Sequence, residues 1–378
     1  MKILNGLFAC LALCFASAVQ AEDEPQEFAS GLYDGTIGNM PIRVCFDPGS
    51  ETGTYYYIKH LKPIALRLGK DETPGLLAET LGYDKPTGGI WHMESSGKAE
   101  LSGKWVSAKR TLPIRLKRKP FTKDQYTGPC ESPEFLAPRM RGDKVVEAQE
   151  VFEGVRYTRL RYVPGPQFDS DSVSITSFAL KPEHIGDASI NASLRKVIPD
   201  GSGASNFMQC MGMMHLQWGA DGDFHHNVSP ELIADRWLGV VHINSIYCGG
   251  AHPSFWNKRR VYDRHSGEEV DPSRFLTDAS FVFYNAESDD PLSKRLVRHL
   301  SEDLKAAVGR NWSAEGADCW EEIRDFPGWE LGLVRNGIVF EPDLPHVIKA
   351  CGEAVTVPWS QLDGMLSEKG KAVRDSLR

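Results

Sequence analysis

Histidines and carboxylates recur through the middle of this 378-residue chain, and their spacing decides which chemistry is open to them. Tyr247-Cys248-Gly249-Gly250-Ala251-His252-Pro253 joins an extended run to a glycine pair, with a cysteine and a histidine beside the bend. Imidazoles titrate near neutrality, so His252 and His242 are candidates for acid–base exchange or for ligation. Asp223 is the carboxylate that would orient such a base or activate water. An attacking group is harder to find: Cys248 is expected to be oxidised, and Ser254 has no nucleophile-elbow setting. We therefore read Tyr247, Gly249, Gly250 and His252 as a ligand-contacting bend ahead of a catalytic trio of His242, His252 and Asp223. Asp221, Asp223, His225 and His226 also collect donor atoms around a turn, but calcium needs more oxygens and zinc a defined convergent set. They read as a polar hairpin tip, and no metal or other cofactor is expected.

The cysteines point to a compartment. Cys10 and Cys14 fall in an apolar leader, which leaves Cys45, Cys130, Cys210, Cys248, Cys319 and Cys351. An even number in an exported chain favours structural disulfides over free thiols. Six cysteines admit many pairings; the sequential one, Cys45 with Cys130, Cys210 with Cys248 and Cys319 with Cys351, staples a local region each time. No pair has the close spacing of a thiol redox motif or a zinc knuckle. The leader itself has Lys2, an apolar run from Leu4 to Val19, and small residues at Val19-Gln20-Ala21, so cleavage after Ala21 is expected. It is short for a membrane span. The product would be periplasmic or secreted, with no spanning segment.

A formal net charge of −8 gives no diffuse attraction to nucleic acid or anionic lipid. The basic run Arg110 to Lys119 alternates through Leu112, Ile114 and Leu116, as a strand with a charged outer face does.

The elements that must position these residues follow from periodicity. From Gly31 to about Gly128 the chain reads as short strands broken by turns, including Leu32–Ile37, Pro41–Phe46, Thr54–His60 and Ala99–Trp105. Tyr55, Tyr57, Trp91 and Trp105 are expected to close an antiparallel sheet or small barrel. Pro129, Pro133, Pro138 and Gly142 mark an irregular boundary. Beyond it, Asp187 to Leu194 reads as a helix, Phe207 to Trp218 as a strand, Pro230 to Trp237 as a short helix and Leu238 to Tyr247 as a strand returning through Phe255 to Tyr262. Leu292 to Val308 is the long helix candidate, with strands at Trp329–Val334, Gly337–Glu341 and Ala354–Pro358 and a final helix from Trp359. The fold class is α+β: a cleaved leader at 1–21, a mostly antiparallel β domain at 22–130, a linker at 131–143 and a mixed α/β-sheet domain at 144–378.

Over about Lys144 to Leu366 the chain resembles the bacterial extracytoplasmic family DUF3298, which includes the sensor portion of RsiV-type anti-sigma factors. The resemblance lies in Tyr247-Cys248-Gly249-Gly250-Ala251-His252, Val261-Tyr262-Asp263, Ser266-Gly267, Gly337-Ile338-Val339-Phe340 and Val355-Thr356-Val357-Pro358-Trp359. Ser189-Ile190-Asn191-Ala192-Ser193-Leu194 resembles the helix opening of the companion DUF4163 region. The resemblance implies lysozyme binding rather than chemistry at His252, although this chain lacks a sigma-binding region. The expected function is an envelope-associated binding protein for a lysozyme-like protein or a cell-wall component. A hydrolase of an envelope polymer and a non-catalytic envelope assembly protein are the alternatives.

Overall fold

A computed structural model describes residues 30–47, 52–68, 75–83, 85–95, 99–122, 128–285, 296–313 and 317–378. The expected leader lies outside them. Among the described residues no helix is long and apolar enough to cross a membrane.

The first region is a closed antiparallel barrel. Its strands are β1 (Gly31–Ile37), β2 (Met40–Phe46), β3 (Gly53–Tyr57), β4 (Ile64–Leu68), β5 (Leu76–Leu81), β6 (Lys85–Ser95), β7 (Glu100–Val106) and β8 (Thr111–Lys119). β1 pairs with both β2 and β8, which closes the ring and leaves no free edge. Tyr33, Val44, Tyr55, Leu66 and Trp91 fill the interior. A barrel of this size holds side chains rather than a channel.

The chain next forms α1 (Pro133–Leu136), a single 3-10 turn over Ala137–Met140, β9 (Lys144–Phe152), β10 (Val155–Val163) and β11 (Val173–Leu180). Two helices follow, α2 (Asp187–Arg195) and α3 (Asn206–Trp218). Then come β12 (Asp223–Ile233), β13 (Trp237–Tyr247), β14 (Ser254–Asp263) and β15 (Glu269–Val270). The seven strands form one sheet in the order β15-β14-β13-β12-β11-β10-β9. β11 and β12 are its parallel pair. Parallel neighbours need a long crossover, and α2 and α3 provide it.

The last region holds β16 (Phe281–Asn285), β17 (Leu296–Leu300), α4 (Glu302–Arg310) and α5 (Ala317–Ile323). After them β18 (Trp329–Val334), β19 (Gly337–Pro342) and β20 (Val355–Pro358) form a three-stranded sheet, followed by α6 (Trp359–Leu362) and α7 (Glu368–Ser376). Arg259 on β14, nearly inaccessible, joins Glu231 on β12 at 3.0 Å and also Glu341 on β19. Asn257 donates to the same Glu341 at 2.8 Å. One buried cation shared by two carboxylates thus holds the small sheet against the large one.

The α+β class and the strand-rich beginning agree with expectation; several local assignments do not. Phe207–Trp218 is a helix: Phe207, Cys210, Met211, Met214 and His215 are buried at helical spacing, the Ser205 hydroxyl accepts from the Met208 amide at 3.3 Å, and Gly219 ends it at φ +60°. Pro230–Ile233 continues a strand, with a register shift between Pro230 and Leu232, and Ala234 begins a turn. In the expected helix from Leu292, residues 296–300 are instead a strand paired with β16, and the helix starts after Ser301, which caps Leu304. A leucine spacing of four is a multiple of both periods in practice, so it did not separate strand from helix. Leu292 itself lies outside the described residues. The proline-rich 131–143 segment carries regular turns, with Phe135, Leu136 and Arg139 fully buried.

Candidate functional site

The expected disulfides are all present: Cys45–Cys130, Cys210–Cys248 and Cys319–Cys351, with Cα separations of 5.1, 4.8 and 5.2 Å. Cys210–Cys248 ties the end of β13 to α3. There the backbone turns through Gly249 and Gly250, at φ +100° and +93°. The positive φ of Gly249 demands glycine; a Cβ there would meet only the end of the exposed Gln217 side chain, which can move aside. Tyr247 closes the bend by donating its hydroxyl to the Gly250 carbonyl at 3.1 Å. His252 is exposed, and its ring stacks on His346 at 4.1 Å and 4°.

His242 is elsewhere. It pairs with Val228 and Lys258, five strand positions back from Tyr247, or roughly 16 Å along the strand. Its Nδ1 meets Nε2 of His226 at 3.1 Å, while its own Nε2 is buried without a protein partner. Burial lowers both rings to about 4, with neighbouring His226 and Arg260 adding to the effect on His242. The hairpin therefore does not bring His242 to His252. Asp223 stands opposite Tyr247, at the bend and away from His242.

Asp221, His225 and His226 do not form the expected tip. Asp223, His225 and His226 all lie on β12, and Asp221 turns inward. Asp221 Oδ1 receives Arg139 Nη2 at 2.9 Å and His215 Nε2 at 2.7 Å. Arg139 Nη1 also lies against both ring nitrogens of His215. Burial and then the Arg139 charge push His215 down to about 4. Burial would raise the Asp221 carboxyl, but Arg139 and His215 hold it far below its ordinary range. Arg139 also donates from Nε to the Leu61 carbonyl of the barrel at 2.8 Å. The trio is an internal joint between barrel and sheet.

What the bend presents outward was not visible in the sequence. Pairing aligns Asp223 with Tyr247, His225 with Ser245 and Phe255, and Asn227 with Ile243 and Asn257 on one sheet face. Phe255 and Ile243 are each 48% exposed there. The barrel adds Tyr83, at φ +55° and 59% exposed, whose ring lies 5.9 Å from Trp218. Burial raises the Tyr83 hydroxyl, with Tyr247 and Asp223 adding to the shift. Gly82 accepts this approach by donating its amide to the Gly219 carbonyl at 3.1 Å. One face of the disulfide-fixed hairpin thus carries Asp223, Tyr247, Phe255 and Ile243, and Tyr83 of the barrel lies against Trp218 of α3. Neighbouring small and polar residues disguised Tyr83 and Phe255 as ordinary turn and strand positions.

The aromatics expected to close the barrel do so, around a carboxylate that sequence reading missed. Glu79 Oε1 accepts from Tyr55 Oη at 2.5 Å, Trp91 Nε1 at 2.8 Å and Trp105 Nε1 at 2.7 Å, and Oε2 accepts from Thr87 at 2.7 Å. These rings are committed to the core and offer no sugar-stacking groove. The Asn311-Trp312-Ser313 sequon is likewise engaged, since the Asn311 amide donates to Ala307 at 2.8 Å and to Gln361 at 3.0 Å.

No family model matches the chain, and no curated protein matches it. Among solved structures it is similar to a DUF3298 family protein from Pseudomonas aeruginosa PAO1, at 11% identity, covering 60% of this chain and 94% of that one, with a TM-score of 0.35. It is also similar to a member of the DUF3298 family from Bacteroides fragilis NCTC 9343, at 10% identity, covering 62% of this chain and 96% of that one, with a TM-score of 0.38.

Proposed function

We propose that this chain is an exported, envelope-associated binding protein that recognises a basic, lysozyme-like protein through the face around Asp223. The observation that carries the reading is the exposed apolar surface of Ile243 and Phe255 on one face of the disulfide-fixed hairpin, with exposed Tyr83 of the barrel against Trp218 of α3. Aromatic side chains centred on a partly shielded charge are the usual anchors of protein interfaces. The acidic balance of the chain adds attraction toward a cationic partner at low salt. A cell-wall fragment is the other ligand to compare. Its place would be the groove lined by Lys144, Tyr162, Arg195 and Lys196, which offers cations to carboxylates. Hydrolysis finds less support, because His242 and His252 stand apart.

Calorimetry of the oxidised protein against lysozyme and against soluble peptidoglycan fragments distinguishes these arms. Saturable lysozyme binding is expected, weakened roughly tenfold or more by Tyr83→Ala or Phe255→Ala. Absence of lysozyme binding, or binding indifferent to both substitutions, overturns the assignment of this face.

A further inference from the structure

At the end of the large sheet opposite the glycine bend, three loops bring His184, Asp235 and His265 together. His184 follows β11, Asp235 lies between β12 and β13, and His265 lies between β14 and β15. One ligand atom from each residue lies within 4.8 Å of the other two. His184 Nε2 is 3.3 Å from Asp235 Oδ1, and His265 Nε2 is 3.9 Å from Asp235 Oδ2. The two rings are 4.8 Å apart at 51°. We infer that these three side chains form a binding site for a borderline divalent transition ion of the zinc type.

The separations are longer than direct hydrogen bonds and near those of ligands that share one ion. A direct hydrogen bond would draw nitrogen and oxygen to roughly 2.7–3.2 Å. Ligand atoms about 2.0–2.1 Å from a tetrahedral ion stand about 3.3 Å from each other, so only the His265 side must close further. Two imidazoles and a carboxylate are a suitable set for zinc and leave a fourth position for water or a partner's side chain.

The backbone beneath the cluster is unusually constrained for a surface. Arg264, next to His265, sends Nε and Nη2 to the Asp187 carboxylate at 2.9 Å each and Nη1 to the Ala234 carbonyl at 2.7 Å. Its amide donates to the Arg236 carbonyl at 2.7 Å, and its carbonyl receives the Gly186 amide at 3.0 Å. Asp187, fully buried, in turn accepts the backbone amide of His184 at 3.0 Å. The His265 amide donates to Asp263 Oδ1 at 3.0 Å, and Asp263 pairs with Arg236 at 2.7 Å. A Cβ on Gly186 would come within 2.2 Å of the Gly267 amide nitrogen, so the two loops touch through glycine. One buried arginine therefore fixes the backbone flanking all three ligand residues, the preorganisation that a metal site requires.

The test uses tag-free, oxidised mature protein, chelator-treated and titrated with Zn²⁺ against a chromophoric competitor, with bound metal counted by mass spectrometry. Cobalt(II) substitution then reports geometry through its visible spectrum. One ion per chain is expected, with a four-coordinate cobalt spectrum and a metal-dependent rise in melting temperature. Asp235→Asn and His265→Ala should each weaken binding roughly tenfold or more, as expected for loss of a ligand. Their melting temperatures in chelator should match the parent, which separates ligation from folding. A double variant, His252→Ala with His346→Ala, should still bind one ion. No saturable binding by the parent, binding unchanged in Asp235→Asn and His265→Ala, or loss only in the double variant overturns the proposal.

Discussion

Burial gives individual side chains here roles that their chemistry alone does not announce. Glu79 is 3% exposed and receives Tyr55, Trp91, Trp105 and Thr87. Glu79→Gln removes the charge that strengthens these bonds and turns an amide donor toward another donor. A loss of about 2–3 kcal/mol is expected, read as a lowered denaturant midpoint. The neutral histidines predict a pH dependence. His215, His226 and His242 are held near 4, against an ordinary 6.5, first by burial. Unfolding therefore takes up protons between those values, so stability that is complete above about pH 6.5 falls as pH is lowered toward 4. Asp221 acts further into acid, since its lowered carboxyl begins to lose its contribution only below the ordinary carboxylate range. Urea midpoints at a series of pH values should decline across the histidine window. His242→Leu should flatten that decline and lower stability at pH 7 by about 1–2 kcal/mol, because it removes the Nδ1 partner of His226 although Nε2 has no protein partner to lose. A midpoint constant from pH 7 to pH 4 would contradict this account.

Elements are set by how their ends are held. The bend after β13 needs Gly249 for its positive φ and Cys248 for attachment to α3, and both are local constraints on a hairpin whose strands already pair with their neighbours. Replacing Cys210 and Cys248 together by serine should release the bend. A drop of about 2–4 kcal/mol in stability is expected, with faster amide exchange concentrated at residues 247–253. Exchange that rises evenly over the whole sheet would assign the disulfide a global role instead. The hairpin of β13 and β14 was legible as alternation through Val240, His242, Asn244 and Ile246, whereas β12 was not. The helix over Asn206–Trp218 was legible only to a reader who weighed Ser205 and Gly219 as caps, since Met213 to Trp218 alternate equally well on paper.

At the scale of the molecule the barrel and the sheet share a core. Leu32, Cys45, Tyr56 and Leu61 of the barrel pack in one cluster with Phe135, Leu136, Tyr162, Phe207 and Phe224. Arg139 adds the polar part of the joint, from Leu61 through His215 to Asp221. Barrel and sheet should consequently unfold in a single transition, seen as coincident melting by tryptophan fluorescence and far-ultraviolet dichroism. Arg139→Ala should lower stability by about 3–5 kcal/mol, because it leaves the Asp221 carboxylate inside without its cation. Two separated transitions in the parent protein would show that the shared cluster does not couple them.

Alternation, turn residues and cysteine parity determined much of the architecture in advance: the strand meander, the α+β class and the use of six cysteines in disulfides, whose pairing the fold decided. These properties repeat over short distances along the chain, where spacing alone carries the information. Tertiary structure decided which polar groups meet. It placed Arg139 against Asp221, Tyr83 against Trp218 and His184 beside His265, pairs separated by many residues and joined only by strand register and loop packing. It also separated His242 from His252, which a hairpin drawn from sequence had set in one neighbourhood. Contacts of this kind depend on the sum of every preceding turn, and no local pattern of residues records that sum.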